Sequence, residues 1–132
     1  MDNEKLFEFA KEARGFSIAA ISDFKVGAAL LTKSGKVFLG CNIEDPSGIG
    51  VTNICAERCA LIKALSEGCS DFEKIAVAGG TDKLIFCTPC GVCRQYLNTF
   101  CPEIKVVCID DNGALNEYAL DELLPHSFSE RF

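Results

Sequence analysis

Hydrophobic residues recur at helical spacing near the N-terminus and in three later windows of the chain. The first window follows a candidate N-cap, Asp2 or Asn3. Its apolar positions, which share one predicted helix face, are Leu6, Phe9, Ala10 and Ala13. The later windows predict helices over residues 55–67, 90–100 and 120–124. The second helix is expected to end before Gly68, because glycine commonly terminates helices.

Short apolar runs between these windows predict β-strands. They cover residues 26–32, 36–42, 74–78 and 104–109, with a further short segment at 115–118. Ser34-Gly35 predicts a turn between the first two strands, and residues 43–54, which are rich in glycine and proline, predict a loop. Strands that alternate with helices predict an α/β sandwich. The pattern does not give the order of the strands.

Composition is that of one ordinary globular domain, which we place at residues 1–132. Hydrophobic residues make up 48% of the chain and charged residues 24%. No apolar run approaches the ~18 residues of a membrane span, and Met1–Lys5 lacks the order of a signal peptide. We therefore expect a cytoplasmic protein without a membrane partner. The net charge of −6 argues against a nucleic-acid partner and favours a small substrate.

The nine cysteines are not expected to form a disulfide framework, because their number is odd and no export signal is present. Six of them are interpreted as buried apolar residues. These six are Cys41, Cys59, Cys69, Cys87, Cys101 and Cys108. Cys59 and Cys87 are also close enough in sequence to the remaining three thiols to compete for a metal.

The remaining thiols, Cys55, Cys90 and Cys93, predict one zinc ion per chain. Cys90 and Cys93 are three residues apart, so they face the same way on a helix. Three protein ligands leave a fourth position for water, which is the catalytic arrangement. Glu57 is too close to Cys55 to be an ordinary fourth ligand, but it is well placed to handle protons of that water. A cysteine with a nearby glutamate, followed by Pro-Cys-x-x-Cys, is found in zinc deaminases.

Five blocks of the sequence carry a closer resemblance. They are Phe24–Leu30, Gly40–Glu44, Cys55–Arg58, Pro89–Gln95 and Glu122–Phe128. Taken in this order, they resemble the small, homotetrameric cytidine deaminases of pyrimidine salvage. The resemblance implies a three-layer sandwich in which helices cover a mixed five-stranded sheet. It also implies hydrolysis of cytidine and deoxycytidine to uridine and deoxyuridine plus ammonia.

The resemblance assigns roles at the metal. Glu57 is expected to take a proton from the water and to return protons to the ring N3 and the leaving amine. Three thiolates overcompensate a +2 ion, and Arg58 matches the arginine that donates to the thiolates in this family. Arg94 is a second candidate for that compensation.

The resemblance also implies a nucleoside pocket shared between subunits. Asn42 and Glu44, two residues apart at a strand end, match residues that bind the 3′-hydroxyl. Phe24 and Phe128 match base-stacking aromatics, and Phe128 is expected to come from a neighbouring subunit of a homotetramer. Backbone groups of Ala56 and Thr88 are expected at the base edge.

Two departures leave the substrate open. Ile21 stands where the family usually has tyrosine, and the loop at 45–54 is longer and also lacks a tyrosine. A deaminase of a modified aminopyrimidine nucleoside, like the blasticidin S deaminases, is therefore an alternative. A non-catalytic zinc protein, with a fourth thiol from Cys59 or Cys87, is a third hypothesis. A polynucleotide-editing deaminase is disfavoured by the acidic charge.

Overall fold

The computed structural model describes residues 1–129. The predicted domain end, residues 130–132, lies outside this described part. Helices and strands alternate as expected. In chain order they are α1 (Asn3–Arg14), β1 (Lys25–Thr32), β2 (Val37–Cys41), a 3-10 turn (Gly50–Thr52), α2 (Ala56–Ser66), β3 (Phe72–Gly80), α3 (Gly91–Phe100), β4 (Lys105–Ile109), β5 (Leu115–Ala119) and α4 (Leu120–Leu123).

The five strands form one mixed sheet in the order β2-β1-β3-β4-β5. β1 lies antiparallel to both β2 and β3, and Ala28 is paired with Gly40 on one side and Val77 on the other. β3 and β4 are parallel, and α3 lies in the connection between them. β5 returns antiparallel to β4. The predicted mixed five-stranded sheet is confirmed.

Helices cover both faces of the sheet, so the molecule has three layers. Side chains alternate along β1: Ala28 and Leu30 join the core under α2 and α3, whereas Ala29 and Leu31 join the core under α1. Full burial of a leucine-sized side chain contributes roughly 1.5–3 kcal/mol, and both cores contain such residues. The predicted sandwich is thus held by two separate apolar layers.

Gly40 sets how closely α2 approaches the edge of the sheet. A Cβ at this position would lie 2.4 Å from the carbonyl oxygen of Ala56 and 2.5 Å from the amide nitrogen of Ala60. Any larger residue would push the first turn of α2 outward, because backbone atoms cannot yield as a flexible side chain can. The absent side chain therefore helps to fix the position of Cys55 and Glu57.

Several element boundaries differ from the sequence-based expectations. β3 spans Phe72–Gly80 instead of residues 74–78, because Gly79 and Gly80 pair with the start of β1 instead of ending the strand. The predicted loop at 43–54 contains the 3-10 turn. In α1, Phe7 is buried, whereas Phe9 is only partly buried. Asp2 is the N-cap, and its carboxylate accepts a hydrogen bond from the Lys5 amide.

Across residues 1–129, none of the helices combines the length and the apolar character that a bilayer crossing requires.

Candidate active site

Two helix N-termini carry the predicted thiol ligands. Cys55 is the N-cap residue of α2 and Cys90 that of α3, and both have extended backbone without a side-chain capping bond. Their thiols are therefore free for other partners, while the first-turn N–H groups and the positive ends of the helix dipoles favour negative charge nearby. Cys93 lies inside α3 and is buried.

The three sulfur atoms form a compact cluster. The Sγ atoms of Cys55, Cys90 and Cys93 lie within 4.8 Å of one another, and those of Cys55 and Cys90 are 3.6 Å apart. Tetrahedral zinc with Zn–S bonds of about 2.3 Å requires S···S separations of about 3.8 Å. The donor set therefore fits zinc. Within residues 1–129 no fourth histidine, cysteine or carboxylate belongs to the group, so neither Cys59 nor Cys87 completes a closed structural site.

The cluster already favours negative charge. A hydrogen bond from Cys93, aided by the Arg58 guanidinium, lowers the pKa of Cys55 to about 5 against the opposing effect of burial. The same bond and burial raise the pKa of Cys93. Zinc binds thiolates, so occupancy would release the remaining protons.

Arg58 supplies the neighbouring positive charge. Its Nη2 lies 3.8 Å from the Cys55 sulfur and 3.4 Å from the carbonyl oxygen of Asn53, and contact with the thiolate raises its pKa. Its Nε is buried without a hydrogen-bond partner among the described residues. An incompletely paired guanidinium beside three thiols fits a cluster that would carry −1 with zinc.

Arg94 does not share this role. Its guanidinium donates to the Pro89 carbonyl and the Thr88 hydroxyl, both at 2.7 Å, and to the Leu123 carbonyl. The expectation that Arg94 compensates the thiolates is therefore wrong. The residue instead fastens the segment before Cys90 to α4.

Glu57 is buried in the first turn of α2, with only 4% of its surface exposed. Burial, reinforced by the negative charge of Cys55, raises its pKa to about 7. A carboxyl group with such a pKa can accept and return protons near neutral pH. Among residues 1–129 it is the one carboxylate that is buried.

A pocket of about 280 Å³ opens over these groups. Its walls come from β1, the end of β2, and the segments leading into α2 and α3. The lining residues are Phe24, Val26, Asn42, Glu44, Asn53, Ile54, Cys55, Ala56, Glu57, Cys87, Thr88 and Cys90. Eight of the predicted site residues are thus brought together, with buried Cys93 in the thiol cluster and Arg58 beside Cys55.

Four lining residues were not predicted from the sequence. Val26 lies on β1 two residues after Phe24, and Asn53 and Ile54 directly precede Cys55. Cys87, interpreted as core, lines the pocket, where burial raises its pKa to about 12. Its sulfur occupies space left by Gly79, whose Cβ would lie 2.6 Å away. Their position next to the predicted motifs was the only feature of the sequence that indicated these four residues, because none of them belongs to a motif of catalytic or metal-binding residues.

Asn42 and Glu44 are partly engaged within the chain. The amide oxygen of Asn42 accepts from the Val26 amide at 2.9 Å and from the Ser17 hydroxyl at 2.5 Å, and Nδ2 donates to the Phe24 carbonyl at 2.8 Å. Oε1 of Glu44 accepts from the amides of Ile21 and Ser22, each at 3.0 Å. Its Oε2 accepts from the Ser22 hydroxyl, and this bond lowers the pKa of the carboxyl group.

The two predicted aromatic residues lie in different places. Phe24 forms part of the pocket wall. Phe128 is 78% exposed and does not line this pocket, while its carbonyl oxygen accepts from Nε2 of Gln95 at 2.9 Å and from Nδ2 of Asn98 at 3.2 Å. Its ring is thus available at the surface, and its backbone is fixed on α3.

Comparisons with known proteins show the family of this chain. The family model described as "Cytidine and deoxycytidylate deaminase zinc-binding region" matches residues 1–109. The cytidine deaminase of Halalkalibacterium halodurans is 45% identical over 130 residues, which cover 98% of this chain and 96% of that protein. The blasticidin-S deaminase of Bacillus cereus is 34% identical over 110 residues, covering 79% of this chain and 76% of that protein.

A solved structure extends the agreement to the fold. The crystal structure of cytidine deaminase from Burkholderia pseudomallei superposes with a TM-score of 0.86 at 42% identity, covering 97% of this chain and 100% of that one. The chain therefore belongs to the cytidine and deoxycytidylate deaminase zinc-binding family, and it is a zinc-dependent deaminase with the fold of that family.

Proposed function

We propose that this enzyme hydrolyses cytidine and deoxycytidine to uridine and deoxyuridine, with release of ammonia. The proposal rests on one observation: the buried Glu57 lines the same pocket as Cys55 and Cys90. The names of the full-length relatives support the substrate class.

In this mechanism Cys55, Cys90 and Cys93 hold the metal. Bound zinc would supply Lewis acidity, which would lower the pKa of a water molecule so that a hydroxide nucleophile is available near neutral pH. Glu57 accepts a proton from the attacking water and delivers protons to the ring N3 and the leaving amine. Arg58 balances the excess negative charge of the thiolates. Backbone groups of Ala56 and Thr88 hold the base edge, and Phe24 stacks on the ring.

The sugar binds to the hydrogen-bonding positions of Asn42 and Glu44 that are not already used within the chain. Asn42 has one N–H left after its bond to Phe24, whereas its oxygen already has two donors. Oε1 of Glu44 likewise has two donors, which leaves one acceptor position on Oε2. One donor and one acceptor match a single hydroxyl group. The negative charge of Glu44 disfavours a phosphate nearby, so a nucleoside suits the pocket better than a nucleotide.

A nucleoside panel tests this assignment. We expect ammonia release from cytidine and deoxycytidine, little from cytosine, and little from cytidine monophosphate or deoxycytidylate. A zinc chelator should remove the activity, and added zinc should restore it. Faster turnover of either nucleotide would contradict the proposed sugar site.

A second candidate substrate, blasticidin S, belongs in the same panel. It is favoured by the similarity to the Bacillus cereus blasticidin-S deaminase and by the altered loop at 45–54. In that loop the Asp45 carboxylate accepts hydrogen bonds from Ser47 and Thr52, so the segment that differs from the family has a defined conformation. Preferential deamination of blasticidin S would replace cytidine as the proposed substrate.

We further propose a homotetramer with shared active sites, in which Phe128 completes the pocket of a neighbouring subunit. The proposal is supported by the 78% exposure of Phe128 and by the bonds that hold its carbonyl on Gln95 and Asn98. An exposed phenylalanine on an anchored backbone is suited to bury its ring against a second copy.

Complementation between two inactive variants should reveal this sharing. When Glu57→Gln and Phe128→Ala chains are co-expressed, about a quarter of the pockets should combine an intact Glu57 with an intact Phe128 from another subunit. Activity should therefore exceed that of either variant alone. Two differently tagged Glu57→Gln chains serve as the control. No recovery in a mixed oligomer, or a fully active monomer by light scattering, would contradict shared sites.

The remaining assignments are proposals on the same basis. Residues 1–132 are proposed as one catalytic domain of pyrimidine salvage, without a nucleic-acid or membrane partner. The nine cysteines are free thiols. Free thiols in such number are typical of reducing compartments, which supports a cytoplasmic location.

A further inference from the structure

We propose that Ser22 is a positioning residue that couples sugar recognition at Glu44 to the placement of Phe24. Ser22 lies in the segment between α1 and β1 and does not itself line the pocket. The inference deepens the proposed nucleoside function and rests on it.

The Ser22 hydroxyl joins the two subsites directly. It donates its proton to Oε2 of Glu44, and its oxygen accepts from the amide of Phe24 at 3.0 Å. The Phe24 carbonyl is held from the other side by Nδ2 of Asn42 at 2.8 Å. Both peptide groups of Phe24 are therefore fastened, one through Ser22 to Glu44 and the other to Asn42. The residue proposed to stack on the base is thus positioned by the two residues proposed to bind the sugar.

The backbone before Phe24 needs such support. Asp23 has a φ of 57°, in the left-handed region that residues with a Cβ rarely adopt. Its amide donates to the Ala19 carbonyl at 2.9 Å, which closes a tight turn. Strained backbone of this kind persists where the surroundings hold it. Here Glu44 holds it through the amides of Ile21 and Ser22 as well as through the hydroxyl.

These contacts also explain how Ile21 can replace the usual tyrosine. Ile21 is 63% exposed, and its contact with Glu44 is made by the backbone amide. The turn therefore keeps its hydrogen bond to Glu44 whatever side chain stands at position 21. The bond from Ser22 to Oε2 of Glu44, in contrast, requires the hydroxyl group of Ser22.

A substrate hydroxyl would bind to the same oxygen as Ser22. Since Oε1 of Glu44 already has two donors, the sugar must use Oε2, where Ser22 is the existing partner. Without the hydroxyl, Oε2 loses its donor within the chain and the amide of Phe24 loses its acceptor. The sugar can then still reach Glu44, but its binding no longer fixes the ring of Phe24.

The test is a set of Ser22 variants analysed by kinetics and zinc content. Ser22→Thr keeps the hydroxyl, Ser22→Val fills the same space without it, and Ser22→Ala removes it without added bulk. We expect Ala and Val to raise KM for cytidine about tenfold, with kcat within about twofold and full zinc, and Thr to behave like the wild type. Ser47→Ala is the matched control, because its hydroxyl also donates to a nearby carboxylate, at 2.7 Å from Asp45, but outside the pocket.

Coupling is measured by repeating Ser22→Ala in a Glu44→Ala background. If Ser22 acts through Glu44, the second substitution adds little, so the two effects are not additive. Cytidine analogues that lack either the 2′- or the 3′-hydroxyl, namely 2′-deoxycytidine and 3′-deoxycytidine, give the same test from the substrate side. The effect of Ser22→Ala should shrink on the analogue that lacks the partner of Glu44.

Three results would overturn the inference. They are an equal Ser22→Ala effect in both backgrounds, an equal loss in the Thr and Val variants, and unchanged kinetics in the Ala variant. If the wild-type enzyme deaminates no nucleoside, the proposed function is wrong. The assay of the wild type alone shows this result, so it is distinguished from any effect of the Ser22 variants.

Discussion

Glu57→Gln should eliminate turnover while the protein keeps its fold and its zinc. Glutamine matches the shape of glutamate, but its amide cannot carry a proton from water to the base and the leaving amine. The loss should be at least about 10²-fold, the usual contribution of a general acid–base residue. Burial of Glu57 destabilises its charged form, because the carboxylate loses its hydration. A neutral amide at this position avoids that cost, so the substitution should not lower the melting temperature.

The measurement combines ammonia release, zinc content and thermal unfolding on one preparation. Glu67→Gln is the matched control, since this exposed glutamate follows the last residue of the same helix. The control should keep both activity and zinc. Loss of zinc together with activity in Glu57→Gln would make Glu57 a structural residue or a ligand, contrary to the proposed role.

Alanine at any one of Cys55, Cys90 and Cys93 should remove both zinc and activity. The sulfur atoms of these residues lie within 4.8 Å of one another, and the described part of the chain offers no substitute donor in the cluster. A site reduced from three thiolates to two loses a large part of its affinity and its tetrahedral geometry. We expect well below one zinc per chain in each variant, measured by atomic absorption after gel filtration.

Cys59→Ala is the control for this series. Cys59 lies one turn after Cys55 on α2 but does not belong to the thiol cluster. It should retain zinc and activity. Full zinc in any of the three ligand variants, or loss of zinc in the control, would contradict the assignment of the ligands.

Local spacing in the sequence predicted only part of the metal cluster. Cys90 and Cys93 face the same way because they are three residues apart at the start of α3. The approach of Cys55, which lies 35 positions before Cys90 at the start of α2, depends on the fold, and the motif shared with zinc deaminases predicted it. The order of the sheet could not be predicted from the alternation of elements, because strand pairing joins residues far apart in the chain. The family resemblance provided the five-stranded mixed sheet, and the structure provided its order.

Side-chain partners were the least predictable feature. Arg94 and Arg58 each follow a thiol ligand at a short distance, yet Arg94 turns toward Pro89, Thr88 and Leu123. The direction of a long side chain depends on acceptors brought near by the fold, and α4 supplies one of them from the end of the chain. The internal bonds of Asn42 and Glu44 could not be predicted for the same reason, since their partners lie in β1 and in the segment before it.

The division of the thiols between α2 and α3 has a consequence for folding. Cys55 and Cys90 are 35 positions apart, and β3 lies between them in the chain. A cation bound by both is a cross-link that closes this loop, as a disulfide would, and it disfavours the unfolded chain by reducing its entropy. Unlike a disulfide, this cross-link requires no oxidation and its strength follows the free metal concentration. The persistence of the folded enzyme is thereby tied to the zinc supply of its surroundings.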